Sequence, residues 1–162
     1  MIKLIKAIYN NPSGLKVLDL GSGNGAFADI LRRHNALVIT ADKSAPADVI
    51  VDLEEPLPFS DKEFDLVTAL AVLEHLRNGE LFIRESLRVG KTLIGTTPAP
   101  KAKPLLDFLS ATGIINKEHI QDHKRYWSKE TLESYSLTVI KFEFGLNYIF
   151  SNTKVNEKLF QR

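Results

Sequence analysis

A glycine-rich turn joins an apolar strand to an apolar helix in the stretch VLDLGSGNGAFADIL, residues 17–31. Gly21, Gly23 and Gly25 allow the backbone to turn tightly and to pass close to a ligand, where a Cβ atom would clash. The helix that follows offers free backbone N–H groups from its first turn to the same ligand. This arrangement is typical of a site for a nucleotide-type cofactor.

An acidic residue, Asp19, stands two residues before the first glycine of this turn. Its carboxylate would repel a pyrophosphate by about 1 to 4 kcal/mol per charge pair at close range, depending on the local dielectric constant. A ligand that carries an ammonium and a sulfonium group would be attracted instead. The alternative interpretation is that Asp19 only caps its own loop.

These residues require a framework in which strands alternate with helices. Apolar segments predict five strands, at 15–20, 36–42, 47–53, 64–70 and 91–97. Helices are predicted near 2–9, 26–31, 78–89 and 105–115, and from an N-cap at Ser128 to about Tyr135. Residues on either side of Gly145 predict a closing hairpin. The predicted fold is α/β: a Rossmann-like, mostly parallel sheet of about seven strands with an antiparallel C-terminal hairpin.

Two of the predicted strand connections are unusually short. The second and third strands are separated by KSAP, and the third and fourth by about ten residues, whereas helical crossovers usually need about a dozen or more. Either the fold has trimmed crossovers between strands 2–3 and 3–4, or one of the predicted strands is wrong.

Composition predicts one domain, residues 1–162, with 44% apolar and 25% charged residues and a net charge of +1. This charge gives no indication of a nucleic-acid or membrane partner. The chain has no cysteine, which excludes disulfides and cysteine-based sites. No apolar run approaches the roughly 20 residues that span a bilayer, and no signal peptide is apparent. A cytoplasmic protein is expected, and its oligomeric state is left open.

The motifs VLDLGSGNG, Asp42, VDLEEPLPFSDKEFDLV and VLEHL resemble, in their order and spacing, the class I S-adenosylmethionine-dependent methyltransferases. The resemblance is to the small-molecule methyltransferase domain of type 11. It covers about residues 15–100 well and the segment 122–132 more loosely. It implies a cofactor-binding half at about 15–97, and an acceptor-side lid and closing hairpin at about 98–152. The activity it implies is methyl transfer from S-adenosylmethionine to an acceptor, expected to be a small molecule.

The resemblance also implies a set of cofactor-binding residues. The glycine turn would pack under the methionine and ribose, Asp19 would face the methionine ammonium, and Asp42 would bind both ribose hydroxyls. Asp52 and the Leu53 backbone would meet the adenine, although Asp52 alternatively serves only as a turn residue. The full predicted set is Asp19, Gly21, Ser22, Gly23, Gly25, Asp42, Lys43, Asp52, Leu53, Leu70 and Ala71.

The acceptor side is predicted around Glu74 and His75, just past the fourth strand. An acceptor hydroxyl or carbon needs a base, and His75 is the best candidate, because histidine as a residue type ordinarily titrates near neutral pH. The alternative is that both residues cap the loop and orient the following helix. By analogy with the family, His123 and Tyr126 contact substrate; alternatively, Tyr126 and Trp127 close the core.

No metal is predicted at this place. In ubiquinone-pathway O-methyltransferases and small-RNA 2′-O-methyltransferases, a Glu-x-x-Glu-His cluster here can bind a divalent ion. In this chain the stretch is AVLEH, so that Ala71 replaces the first glutamate. His119 and His123 are expected to be solvated or hydrogen-bonded loop residues.

Two other functions remain open from the sequence. An NAD-dependent oxidoreductase would account for the glycines and for Asp42, which lies at roughly the distance of a ribose-binding acid. It leaves Asp19 and Asp52 without a role. A methyltransferase-like module that binds a cofactor or partner without catalysis would fit the short chain.

Overall fold

A computed structural model describes residues 1–44, 46–112, 122–142 and 145–154. Its strands are β1 (Lys16–Leu20), β2 (Leu37–Asp42), β3 (Val49–Ile50), β4 (Phe64–Leu70), β5 (Gly90–Pro98), β6 (Thr138–Phe142) and β7 (Asn147–Ser151). Its α-helices are α1 (Ile2–Tyr9), α2 (Ala26–Arg33), α3 (Gly79–Val89), α4 (Lys103–Ala111) and α5 (Lys129–Glu133). Single 3-10 turns lie at Leu73–His75 and Pro100–Ala102.

The strands form one seven-stranded sheet in the order β3-β2-β1-β4-β5-β7-β6. β1 to β5 pair with one another in parallel, while β7 pairs antiparallel with both β5 and β6. The predicted α/β fold with an antiparallel C-terminal hairpin is confirmed. Because the chain moves outward in both directions from β1, the crevice at the carboxyl ends of β1 and β4 is where open α/β sheets bind ligands.

The sheet separates two hydrophobic clusters, because successive side chains of a strand point to opposite faces. Val17 and Leu66 pack on the face covered by α1 and α2, and Leu18 and Val67 pack on the other face. That second face is covered by α3 and by the fully buried Trp127. Both faces are therefore covered, as a parallel sheet requires.

The strand predicted at 47–53 is much shorter than expected and comprises only Val49 and Ile50. It pairs with the last two residues of β2, so the chain needs to travel back only a short distance and no helix is required. Asp48 fixes the return, since its Oδ2 accepts hydrogen bonds from the Thr40 N–H and hydroxyl, each at 2.8 Å. The trimmed crossover between β2 and β3 is thereby confirmed.

The connection from β3 to β4, residues 51–63, also contains no helix. Side chains of α3 hold it instead. Arg88 donates to the carbonyl oxygens of Leu57 at 2.9 Å and Phe59 at 2.8 Å, and Glu85 Oε2 accepts from the Leu57 N–H at 2.8 Å. This part of the loop is fastened to α3, which explains how the second crossover can be trimmed.

Other predicted elements shift by a few residues. The helix predicted at 105–115 runs from Lys103 to Ala111, and the helix capped by Ser128 ends at Glu133 rather than near Tyr135. The cap itself is present, since Ser128 Oγ accepts from the Thr131 N–H at 3.1 Å. His119 and part of the predicted lid lie outside the described residues. In the described part of the chain, no helix has the length and apolar character needed to cross a membrane.

Candidate active site

A cavity of about 360 Å³ lies at the carboxyl ends of the central strands. It collects residues from the glycine turn, the end of β2, the loop after β3 and the turn after β4. Six predicted cofactor residues and the predicted base His75 line it. Its walls are Gly21, Asp42, Lys43, Asp52, Leu53, Glu54, Ala71, Val72, His75, Leu76 and Asp122.

The glycine turn is shaped by close approach and by a hydrogen bond to β2. Gly21 has a φ of 66°, and a Cβ atom built on it would lie 2.4 Å from Cγ2 of Val72. The Gly23 N–H donates to Asp42 Oδ2 at 2.9 Å. Gly25 lies further along, at the N-cap of α2 with a φ of 75°. The turn is therefore held against the turn after β4 on one side and against Asp42 on the other.

Asp19 lies beneath this turn rather than on the cavity wall. It is 3% exposed, and the Thr68 hydroxyl donates to its Oδ1 at 2.6 Å. Burial raises the pKa of Asp19 to about 6, and the Thr68 hydrogen bond opposes that rise. Asp19 is thus a buried acid whose ionised form is disfavoured by the loss of water, and it accepts one short hydrogen bond. It is more deeply buried than its place in the sequence suggests.

Asp42 and Asp52 both face the cavity and both also hold backbone. Besides the Gly23 N–H, Asp42 accepts from the Ser44 N–H at 3.2 Å. Asp52 Oδ1 accepts from the Glu54 N–H at 2.9 Å, the hydrogen bond of a turn residue. Since each carboxylate oxygen has two acceptor positions, these bonds leave capacity for a ligand. The turn role of Asp52 and its position in the cavity are compatible.

The end of β4 carries a non-glycine residue in the left-handed region. Ala71 has a φ of 54°, and its N–H donates to both the carbonyl and the hydroxyl oxygen of Thr96. Ala71 lines the cavity, but Leu70, which is also predicted to bind the cofactor, is not among the described wall residues. Ser22 is also off the wall, and its buried Oγ has no hydrogen-bond partner within the described chain.

Glu74 occupies the 3-10 turn after β4 and is 1% exposed. Burial raises the pKa of its carboxyl to about 7, and Oε2 lacks a hydrogen-bond partner among the described residues. The Glu74 carbonyl accepts from the N–H groups of Lys124 at 2.8 Å and Arg125 at 3.3 Å. These bonds dock the segment from Asp122 onward against the turn.

The docking brings the four predicted acceptor-side residues together. The rings of His75 and His123 are 4.9 Å apart between centroids, and His123 Nδ1 lies 3.2 Å from the Tyr126 hydroxyl. Asp122 Oδ2 is 3.3 Å from His75 Nδ1. Trp127 is buried in the core, while Tyr126 is only partly buried beside His123.

Known proteins similar to this chain favour one of the functions left open by the sequence. Residues 18–92 match the model of the family described as a methyltransferase domain. Ubiquinone biosynthesis O-methyltransferase of Rickettsia bellii is 25% identical over 179 residues, covering 95% of this chain and 74% of the relative. Uncharacterized protein MJ1123 of Methanocaldococcus jannaschii is 29% identical, covering 89% of this chain and 68% of the relative. Residues 18–92 of this chain thus match a methyltransferase domain, in agreement with the resemblance to the class I S-adenosylmethionine-dependent methyltransferases.

A solved structure agrees with this family in fold. The S-adenosylmethionine-dependent methyltransferase from Archaeoglobus fulgidus superposes with a TM-score of 0.68 at 18% identity, covering 93% of this chain and 90% of that one. The methyltransferase assignment is favoured over an NAD-dependent oxidoreductase, which finds no support among these matches. The Archaeoglobus fulgidus protein is named as dependent on S-adenosylmethionine.

Two features of the structure fit this cofactor. Gly21 and Val72 both line the cavity, and a side chain at position 21 would clash with Val72. The absence of a side chain at Gly21 therefore keeps this part of the cavity wall in place. The unpartnered Ser22 Oγ in the same turn is a buried polar atom suited to a ligand that donates or accepts a hydrogen bond. Both features belong to the methyltransferase glycine turn, where the resemblance places the methionine and ribose.

A cluster of possible metal ligands lies beside the cavity of this chain. Glu74, His75 and His123 each bring one ligand atom within 4.8 Å of the others. The sequence predicts no metal here, because Ala71 replaces an acid of the related metal-binding cluster. The cluster makes this prediction worth testing, and it stays a prediction.

Three residues that shape this site are not among the predicted site residues: Thr68, Glu54 and Asp122. Thr68 pairs with Asp19 across adjacent strands, 49 residues away. Glu54 reaches backbone groups of Arg77 and Asn78, and Asp122 reaches His75. The only sequence signal is local: Thr68 lies on the predicted fourth strand, where a side chain two residues before its carboxyl end can face Asp19.

Replacement of Asp42 by alanine is expected to weaken S-adenosylhomocysteine binding at least tenfold. The change removes charge-assisted hydrogen bonds worth about 1.5 to 3 kcal/mol and frees the Gly23 N–H that Asp42 holds. Isothermal titration of the two proteins measures the difference. Asp42→Asn, which keeps one acceptor oxygen, should fall between them, and an unchanged affinity for Asp42→Ala would place the ribose elsewhere.

Proposed function

We propose that this methyltransferase acts on a hydroxyl group of a small-molecule acceptor and that Glu74 and His75 receive the proton that the acceptor loses. The observation that carries the proposal is the burial of Glu74 beside His75, which lines the cavity. A relative at 25% identity is named as an O-methyltransferase, which supports an oxygen acceptor.

On the cofactor side, we assign the chain's residues by the chemistry they can offer. When bound, S-adenosylmethionine supplies a methyl group on a sulfonium, a good leaving group. The glycine turn supports it, Asp42 accepts from the ribose hydroxyls, and Asp52 accepts from the adenine amino group. Asp19 stabilises the methionine ammonium from beneath the turn. Alignment of two reactants in one cavity can supply most of the rate enhancement.

On the acceptor side, protonation state decides what the residues can do. With its pKa near 7, Glu74 is partly ionised at neutral pH, so its carboxylate can accept a proton from an acceptor hydroxyl. His75 lines the cavity, and Asp122 Oδ2 lies 3.3 Å from its Nδ1, so that Asp122 can stabilise the imidazolium once His75 has taken up a proton. His123 and Tyr126 complete the acceptor side.

Glu74→Gln is expected to lower the rate of methyl transfer by roughly 10²- to 10⁴-fold, the usual contribution of a general base. S-adenosylhomocysteine affinity should change little, because Glu74 is not among the described residues of the cofactor walls. A labelled-methyl screen over alcohols, phenols, amines and thiols identifies an acceptor and then compares the variants. Glu55→Gln, at an exposed position, is the matched control.

The same screen distinguishes the competing proposals. Tight S-adenosylhomocysteine binding together with no transfer to any acceptor class would favour a non-catalytic cofactor-binding module. Equal rates for wild type and Glu74→Gln would remove Glu74 from the mechanism. Loss of activity on addition of a chelator, with recovery on Mg²⁺ or Zn²⁺, would contradict the metal-free prediction and assign Glu74, His75 and His123 to a metal site.

A further inference from the structure

The loop after β3 is held at two places, and the second has no part in the function proposed above. Residues 57–59 are fastened to α3 by Glu85 and Arg88. Closer to β3, the side chain of Glu54 accepts two backbone hydrogen bonds, from the Arg77 N–H at 3.2 Å and from the Asn78 N–H at 3.3 Å. One carboxylate thus joins segments that are more than 20 residues apart in the sequence.

Both of these segments line the cavity. Asp52, Leu53 and Glu54 come from the loop after β3, and His75 and Leu76 come from the turn after β4. Leu53 and Leu76 also belong to the same buried cluster. Glu54 therefore joins the predicted adenine-binding loop to the segment that follows the proposed base.

The contacts of Glu54 also determine where α3 begins. Asn78 is the N-cap of α3, and its Oδ1 accepts from the Leu81 N–H at 3.3 Å. Because Glu54 Oε2 holds the Asn78 N–H, it fixes the residue that starts the helix. The 3-10 turn with Glu74 and His75 ends just before this point, so its exit is held by Glu54 as well.

We infer that Glu54 is a positioning residue that couples cofactor binding to the conformation of the acceptor-side turn, residues 73–78. A cofactor that contacts Asp52 and Leu53 restricts the motion of the loop that carries Glu54. The two hydrogen bonds of Glu54 then restrict the backbone of Arg77 and Asn78 as well. The cofactor then orders the acceptor side before the acceptor arrives. The inference rests on the proposed placement of the adenine against Asp52 and Leu53.

Hydrogen exchange of the Arg77 and Asn78 amides, followed by NMR, tests the coupling without an acceptor. In the wild type, saturating S-adenosylhomocysteine is expected to slow exchange of both amides by roughly two- to tenfold, the change given by strengthening of one or two hydrogen bonds. In Glu54→Ala both amides should exchange faster without ligand. Added S-adenosylhomocysteine should bind and yet leave their exchange unchanged.

Two further variants sharpen this test. Glu55→Ala is the matched control, because Glu55 is the adjacent acid, is exposed and makes no side-chain hydrogen bond in the described chain. It should behave as wild type. Glu54→Gln keeps one acceptor oxygen and should retain protection at one amide only, and it carries the test if Glu54→Ala fails to fold.

The outcomes separate the inference from the proposed function. If the wild type does not bind S-adenosylhomocysteine, the proposed cofactor site fails. If the ligand binds and protects both amides equally in wild type, Glu54→Ala and Glu54→Gln, the site stands and the coupling role of Glu54 is overturned.

Discussion

Replacement of Asp19 by asparagine is expected to stabilise the ligand-free protein and, at the same time, to weaken its affinity for S-adenosylmethionine. Asp19 is 3% exposed, and burial raises its pKa from 3.8 to about 6. At neutral pH the folded protein therefore holds a carboxylate that would be more stable in water. Each pKa unit corresponds to 1.36 kcal/mol, so relief of this cost is worth up to about 3 kcal/mol.

The sign of the pH dependence follows from the direction of the shift. An acid whose pKa is higher in the folded state destabilises the fold at pH values above that pKa, and the cost disappears as the pH falls below the unfolded value near 3.8. The gain for Asp19→Asn should thus be largest above pH 7 and should vanish between pH 6 and 4. Urea unfolding at several pH values measures it, with the exposed Asp29→Asn as control.

Asp19→Asn is expected to weaken cofactor binding, although it stabilises the ligand-free protein. Asparagine keeps an acceptor for the Thr68 hydroxyl, but it lacks the charge that attracts the methionine ammonium. Titration with S-adenosylhomocysteine, which keeps that ammonium, should show at least a tenfold loss of affinity. A variant that is neither stabilised nor weakened in binding would mean that Asp19 is only a loop cap.

Substitution of Gly21 by alanine is expected to weaken cofactor binding by well over tenfold. The new Cβ would lie 2.4 Å from Cγ2 of Val72, which is itself a buried wall residue with a stiff, branched side chain. Val72 must move, and the part of the cavity wall that it forms moves with it. The left-handed backbone at a φ of 66° adds a strain of about 1 to 2 kcal/mol.

A matched substitution separates the contact from the strain. Gly14 has a φ of 77°, and a Cβ there would meet nothing within 4 Å. Gly14→Ala should lose about the same stability from backbone strain while binding S-adenosylhomocysteine normally. Thermal unfolding and titration of both variants test this, and normal binding by Gly21→Ala would remove the close approach to Val72 from the account.

Most of the fold could be predicted because it depends on local patterns. The buried strands β1 and β4 begin and end within about a residue of their predicted bounds, since apolar runs between polar residues mark them. The strand predicted at 47–53 was wrong in length, because β2 ends at Asp42 and leaves only two residues for β3 to pair with. Alternation in the sequence cannot reveal where a partner strand stops.

The site was predictable only in part, for a related reason. The glycine turn and Asp42 stand close enough in the sequence for their spacing to indicate a cofactor. The role of Glu54 depends on backbone groups 23 and 24 residues away, and the elevated pKa of Glu74 depends on burial by segments that the sequence does not place. Long-range contacts and burial are properties of the folded chain.

Isothermal titration of the wild-type protein with S-adenosylhomocysteine and, separately, with NADH tests the central claim most directly. The cavity between the glycine turn and the turn after β4 should bind one S-adenosylhomocysteine per chain at pH 8, with affinity that falls below pH 6 as Asp19 becomes protonated. NADH should not bind. Tight NADH binding with no S-adenosylhomocysteine binding would contradict the account.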